Sequence, residues 1–370
     1  MSSFHSARGA RALLIALCIP ATIGSATAAE LADTLTRPAA IVARPEQSVL
    51  LGIATAGDRL VVVGERGLVA LSDDHAKHWR QVPVPLSVSL TAVTFSTPTS
   101  GWAVGHRGVI LGSVDGGEHW SLQLEGRQFA ERALMRALLA LAAAGGATEQ
   151  ATRDVKDAEA LVRDGADKPF LDVSFADEHH GLAVGAYGLC AQTDNGGVSW
   201  EPCMSRLPNP KGAHMYAIAR SGSTILIAGE QGLLLRSDDA GAHYAAVPGP
   251  FTTSLFCAAV NRSGDTVLAG LRGSAFFSAG GSFGSLQTDS QGSCAGSAPL
   301  NDGRLVFVNQ LGQLLTHDAR AHRLVLVPTP PMAPLSGVVQ DRSGALVLVG
   351  ARGVTSLPAS MLTTTRSARP

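Results

Sequence analysis

Gly105-His106-Arg107-Gly108-Val109-Ile110-Leu111-Gly112-Ser113-Val114-Asp115-Gly116-Gly117-Glu118-His119-Trp120 holds two turns separated by one short apolar run. The first, Gly-x-x-Gly, follows a run of β-formers. Glycine suits it because a tight hairpin needs positive φ. The same turn stands at 64–67, 105–108, 185–188, 229–232, 270–273, 309–312 and 350–353, with Asn309 replacing glycine once. Successive starts lie 41, 80, 44, 41, 39 and 41 residues apart. One spacing is a period plus an insertion of nearly another. Each unit reads as four short strands, such as Leu90 to Phe95 first and Leu60 to Val63 second. Four strands per period of about 40 residues is the pattern of a propeller blade. A lone blade cannot bury both faces, so neighbours must stack and the ring must close. The expected fold is all-β, a seven-bladed β-propeller spanning residues 37–360.

The second turn, Ser113 to Trp120, fits Ser-x-Asp-x-Gly-x-x-Trp. Weaker copies run from Ser72 to Trp79, Thr193 to Trp200 and Ser237 to Tyr244. Ser113 and Asp115 are placed to accept hydrogen bonds from turn amides, and Gly117 to take the left-handed position. Trp120 and Trp200 then plug the space between sheets. This is an Asp-box, a repeat first recognised in bacterial sialidases. Its side chains are consumed by the turn, so the structural role is preferred over calcium or sugar binding. No metal site or cofactor is expected. His75, His78, His119 and His243 sit in these turns and read as solvated.

Composition agrees. The 41 glycines and 16 % charged residues suit many tight turns better than a helical protein. A net charge of −1 excludes the basic footprint of a nucleic-acid binder. Residues 1–28 read as a cleavable signal peptide: Arg8 and Arg11, an apolar run from Leu13 to Ile19, then Ala26-Thr27-Ala28. The apolar run is too short to span a bilayer. The expected location is the periplasm. Four cysteines remain in that oxidising compartment. Cys190 and Cys203 are equidistant from the turn at Asn195-Gly196-Gly197, which makes them cross-strand neighbours and a disulfide pair. Pairing of Cys257 with Cys294 is left open.

Two segments break the repeat. The last unit has three evident strands, and residues 38–44 are expected to supply its fourth, closing the ring. Residues 127–167 interrupt the ring between blades two and three. Ala130, Ala133, Leu134, Ala137, Leu138 and Leu141 recur at helical spacing. Gly145-Gly146 stops that helix and Thr148 caps a second, with Ala151, Val155, Ala158 and Val162 on one side and Gly165 at its end. This helical hairpin is either a tolerated surface insertion or a docking arm. Residues 361–370 form a tail.

Repeat symmetry carries the Gly-x-x-Gly turns to one rim, shared with the insertion. Arg66, Arg107, Arg272 and Arg352 occupy the same motif position; Tyr187 and Gln231 hold it in two other blades, and Leu311 in a third. Such a rim suits recognition of carboxylates on a partner protein.

The Asp-box blades, the Val-Gly-x-Arg-Gly-like turns and the leader resemble the photosystem II stability/assembly factor type of propeller. The resemblance implies a non-enzymatic protein whose rim arginines contact assembly intermediates. Tyr187, Gln231 and Leu311 depart from the arginine pattern. With its helical insertion and signal peptide, the chain is similar to the non-photosynthetic proteobacterial branch. That likeness implies a protein partner in the inner membrane, such as a resistance-nodulation-division transporter, with membrane contact only through the partner. The alternative is a sialidase-like glycoside hydrolase, for which Tyr187 is the sole nucleophile candidate and no acid partner stands out.

Overall fold

The computed structural model describes residues 33–144, 148–165 and 167–362. The expected leader, the Gly145-Gly146 stop and residues 363–370 lie outside the described residues. Among those described, the strands make seven sheets. Sheet one holds β1 (Leu50–Ala56), β2 (Arg59–Gly64), β3 (Val69–Ser72) and β4 (Arg80–Gln81). Sheet two holds β5 (Leu90–Phe95), β6 (Gly101–Gly105), β7 (Ile110–Ser113) and β8 (Ser121–Leu124). Sheet three holds β9 (Phe170–Phe175), β10 (Gly181–Gly185), β11 (Cys190–Thr193) and β12 (Glu201–Pro202). Sheet four holds β13 (Met215–Ser221), β14 (Thr224–Gly229), β15 (Leu234–Ser237) and β16 (Ala245–Ala246). Sheet five holds β17 (Leu255–Val260), β18 (Thr266–Gly270), β19 (Ala275–Ser278) and β20 (Gly284–Ser285). Sheet six holds β21 (Gln287–Thr288), β22 (Cys294–Pro299), β23 (Leu305–Asn309), β24 (Leu314–Asp318) and β25 (Arg323–Leu326). Sheet seven holds β26 (Leu335–Gln340), β27 (Leu346–Gly350) and β28 (Gly353–Leu357).

The second strands explain the stacking. Every residue of β6, β10, β18, β23 and β27 is buried. Short apolar runs bounded by turns are buried on both faces, so each sheet packs against two others. The clusters between sheets show it: Val63, Leu71, Leu90 and Leu111 share one, and Leu314, Val327, Leu335 and Leu348 another. First strands touch in a closed circle, β1 to β5, β9, β13, β17, β22, β26 and back to β1. Polar staples cross from sheet to sheet on that circle. Thr91 Oγ1 donates to Phe170 O at 2.7 Å, and Ser336 Oγ to Leu50 O at 2.6 Å.

Asp172 on β9 is a third staple, accepting from the amides of Ile218 at 2.7 Å and Val173 at 2.8 Å. Burial pushes its carboxyl up to about 6, outweighing both amide bonds. A folded-state value above the unfolded one means that this carboxyl contributes stability at low pH and loses it as pH rises through about 6. The Asp172→Asn variant is therefore expected to gain on the wild type between pH 4 and pH 7. Thermal midpoints of both proteins at the two pH values test it. A difference that stays constant would remove Asp172 as the titrating group.

Ring closure departs from expectation. Residues 38–44 do not pair with the last sheet. The Ala39 amide donates to Val84 O at 3.0 Å. Gln81 on β4 bridges the Val42 amide and Ala40 O at 2.8 and 2.9 Å. These bonds hold the segment along the outer side of sheet one, because a side-chain amide satisfies its backbone there. Sheet seven keeps three strands. The two ends of the circle meet instead through Ser336 and Leu50, and through His75, whose Nδ1 lies 3.0 Å from the buried Asp341 carboxylate. Sheet six carries an additional strand, β21, parallel to β25.

Between sheets two and three stand helices α1 (Gly126–Ala143) and α2 (Glu149–Asp164). Thr148 caps α2 by accepting from the Ala151 amide, and Gly165 follows its end with φ 80°. Ala130, Ala133 and Ala158 are buried, as is Phe129, which meets Phe170 edge to face at 5.6 Å. In the rest of the expected stripe, Leu134, Ala137, Leu141, Ala151 and Val155 are half-buried. Leu138 is 43 % exposed, and Val162 is exposed while Leu161 packs inward. Arg132 donates to Trp200 O at 3.0 Å and Arg136 pairs with Glu201 at 2.9 Å, so α1 lies along sheet three. Disulfides join Cys190 to Cys203 and Cys257 to Cys294.

Candidate partner-binding rim

Each hairpin between second and third strands is shaped by two close approaches. The first glycine is extended, with φ −162° at Gly64. Its role is space, since a Cβ there would lie 3.2 Å from Leu50 Cα and closer still to Val49 O. The second glycine, such as Gly67 at φ +76°, lies against Leu86 O of the connector leaving its sheet. Between them the chain places a non-glycine residue in the left-handed region. Arg66, Arg107, Tyr187, Gln231 and Arg272 have φ of 56°, 58°, 56°, 53° and 52°. A left-handed conformation that recurs at non-glycine residues persists only where its surroundings fix it. At three of the five turns a serine just ahead of the next first strand fixes it. The amides of Arg66, Gln231 and Arg272 donate to Ser89, Ser254 and Ser293 Oγ at 3.2, 3.3 and 3.1 Å. These serines were not singled out from sequence. Their signal was their place immediately before Leu90, Leu255 and Cys294.

The rim thus presents Arg66, Arg272 and Arg352 exposed, with no side-chain hydrogen bond or ion pair among the described residues. Arg107 differs from the others. It is 33 % exposed and pairs with Asp33 at 2.7 Å, and with Thr34. The Leu35 amide, together with the Arg107 guanidinium, holds the Asp33 carboxyl below the usual carboxylate range. A carboxylate from this chain's own N-terminal segment already occupies that guanidinium, so Arg107 is not a free member of the rim.

Where arginine is absent, rings replace it. Tyr187 is 62 % exposed with Lys168 Nζ 5.4 Å above its ring. From Tyr187 the series continues to His214 at 4.8 Å, Tyr216 at 6.1 Å from His214, and Phe256 at 4.9 Å from Tyr216. Burial, with Glu230 nearby, raises the Tyr216 hydroxyl above its usual value. Gln231 is exposed beside them. The rim therefore combines separated cations with an aromatic run. That arrangement can hold an extended segment with acidic and apolar side chains.

The Asp-box turns lie at the other end of each third strand and are closed on themselves. Ser113 Oγ accepts from the Gly117 amide at 2.9 Å, and Asp115 Oδ1 from the His119 amide at 3.0 Å. Trp120 Nε1 donates to Gly117 O at 2.9 Å. Trp200 instead donates to Gln123 at 3.1 Å across the sheet interface. The histidines His78, His119 and His243 are solvated as expected, and each also faces its Asp-box carboxylate at 2.5 to 2.7 Å. Among the described residues no group of three metal-ligating side chains forms.

A family model described as photosynthesis system II assembly factor YCF48 matches residues 71–136 and 155–252, the stretches that carry all four Asp-boxes and the rim turns at 105–108, 185–188 and 229–232. The photosystem II assembly lipoprotein Ycf48 of Synechococcus sp. (strain CC9902) is 38 % identical over 74 residues. Over these stretches the chain is similar to the photosystem II assembly factor-like BNR propellers. The match to the curated relative spans 20 % of this chain and 22 % of the relative. Solved structures share the fold. YCF48 bound to D1 peptide superposes with a TM-score of 0.59 at 12 % identity, covering 85 % of this chain and 94 % of that one. YCF48 from Cyanidioschyzon merolae gives 0.59 at 17 %, covering 85 % and 97 %. The WD40 propeller of Doa1 gives 0.59 at 12 %, covering 88 % and 96 %.

Proposed function

We propose that this chain is an exported, non-enzymatic seven-bladed propeller that holds a segment of another protein on its rim. A helical hairpin is inserted between blades two and three. It acts as an assembly factor or scaffold for an envelope membrane complex, of which a resistance-nodulation-division transporter is the candidate. The observation that carries this reading is the set of exposed, unpaired guanidinium groups of Arg66, Arg272 and Arg352 on equivalent turns. A protein that needs only a stable ring has no use for three exposed arginines without side-chain partners at one rim position. Binding to carboxylates accounts for them. The solved family member bound to D1 peptide supports a peptide as the ligand class.

Reversing Arg66, Arg272 and Arg352 to Glu together is expected to cut crosslinked recovery of the partner from native membranes about tenfold or more. The thermal midpoint should stay within a few degrees, since these side chains bond to nothing in the fold. Undiminished recovery would remove the rim from the function. The glycosidase alternative predicts turnover of fluorogenic sialosides that vanishes in Tyr187→Phe; no turnover is expected.

A further inference from the structure

The last sheet ends at β28, and we propose that a partner completes it: an extended peptide segment, carboxylate at its C-terminal end, adds antiparallel to Gly353–Leu357. The other sheets show what belongs there. In five of them the residue facing the one before the rim turn accepts an amide from the outer strand. Val69 accepts from Val82 at 3.0 Å, Cys190 from Cys203 at 2.8 Å, Leu234 from Val247 at 2.8 Å, Ala275 from Leu286 at 2.8 Å and Leu314 from Val327 at 2.9 Å. By register the counterpart in sheet seven is Val354, opposite Val349. No strand lies on its outer side among the described residues. An unpaired edge is ordinarily blunted with lysine, proline or a bulge. The sequence Gly-Val-Thr-Ser-Leu of β28 carries no lysine or proline.

Beside this edge opens a cavity of about 300 Å³. Pro330, Pro331, Met332, Leu335, Thr355 and Leu357 line it, with Arg352 also on its wall. In sheets two and three the Asp-box aromatic ahead of the outer strand fills the inter-sheet space, as buried Trp120 and Trp200 do. Sheet seven has no such residue among those described, and the cavity opens toward the rim end of β28, where Gly350, Arg352 and Gly353 stand. Charge sets the direction and the chemistry. An outer strand antiparallel to β28 ends at the rim turn, next to the Arg352 guanidinium. In sheet two the residue at that end is Glu125, directly after β8. Strand addition of this kind draws affinity from main-chain bonds and specificity from side-chain pockets. The site shares Arg352 with the rim but stands without the rim reading.

The chain's own second sheet supplies the probe, a fluorescein-labelled peptide of sequence His119–Glu125. Fluorescence anisotropy is expected to show saturable binding below about 1 mM. Val354→Pro removes an outward amide without touching the bonds to β27, and should weaken binding about tenfold or more. Ser356→Pro has the same geometry and serves if Val354→Pro fails to fold. Arg352→Ala should weaken binding several-fold at low salt and have less effect at high salt. Arg66→Glu with Arg272→Glu should leave it unchanged, which separates this site from the rim. The proposal is overturned if the peptide does not bind by 1 mM, if a scrambled peptide binds equally, or if folded proline variants bind as well as wild type. Two other results would replace the partner segment as occupant. One is a concentration-dependent dimer abolished by Val354→Pro; the other is a tenfold gain in peptide affinity on removing residues 363–370.

Discussion

Gly353→Ala is expected to destabilise the ring by about 3–5 kcal/mol, against about 1 kcal/mol for Gly303→Ala. The two glycines form a matched pair. Both have φ of +85°, so an alanine at either carries the same left-handed strain. Their surroundings differ. Around Gly303 nothing lies within 4 Å of a Cβ position. At Gly353 a Cβ would fall 2.8 Å from Gln47 Cα and 2.7 Å from the Glu46 carbonyl carbon, with Glu46 O nearer still. All of these are backbone atoms, which have no rotamer to relax into. Relief requires moving residues 45–47 away from β28, where the beginning of the ring meets its end. Leu50 and Val349, buried in one cluster, would lose contact with that movement. Urea unfolding of both variants at one temperature measures the difference. Equal losses would mean that conformation alone makes Gly353 necessary, and that the connector does not close the ring.

The periodic part of this architecture was legible because each blade repeats the same local solution. Glycine spacing fixed the hairpins, and hairpin symmetry placed Cys190 opposite Cys203. Helical periodicity with Thr148 and Gly165 bounded α2. What escaped was contact between elements with no common period. Residues 38–44 are β-compatible, yet their amides are satisfied by Gln81 and Val84 of the first sheet, a choice made by tertiary proximity. The Asp33 partner of Arg107 lies far from it in the chain and outside the repeat. Phe129 and Leu161 were passed over because alanines dominated the stripe, whereas packing against Phe170 rewards the larger side chains. The rim positions were readable, but the left-handed backbone at Arg66, Arg107 and Arg272 was not. Sequence placed the positive φ on glycine alone, and the structure shares it with the residue before.

The same distinction separates the two disulfides and makes their removal informative. Cys190–Cys203 closes a separation of 13 residues within one sheet, with Cα atoms 5.0 Å apart. Cys257–Cys294 closes 37 residues and joins β17 to β22, first strands of neighbouring sheets, at 6.2 Å. Loop-closure entropy in the unfolded chain gives about 3 kcal/mol for the shorter loop and about 4 kcal/mol for the longer. The longer one also ties two sheets that are otherwise held by packing, among them through Leu286, Phe307 and Leu324. All four cysteines are buried, so alanines add a cavity cost at either pair, and the longer loop and the link between sheets decide the difference. Cys257→Ala with Cys294→Ala is therefore expected to lose more stability than Cys190→Ala with Cys203→Ala. Its unfolding should also broaden as sheets five and six part from each other before the rest. Urea transitions followed by tryptophan emission and by far-UV dichroism test both points. Trp79, Trp102, Trp120 and Trp200 all lie in sheets one to three, so the emission reports the half of the ring remote from the bond. Coincident transitions with a loss below about 1 kcal/mol would mean that side-chain packing alone holds sheets five and six together.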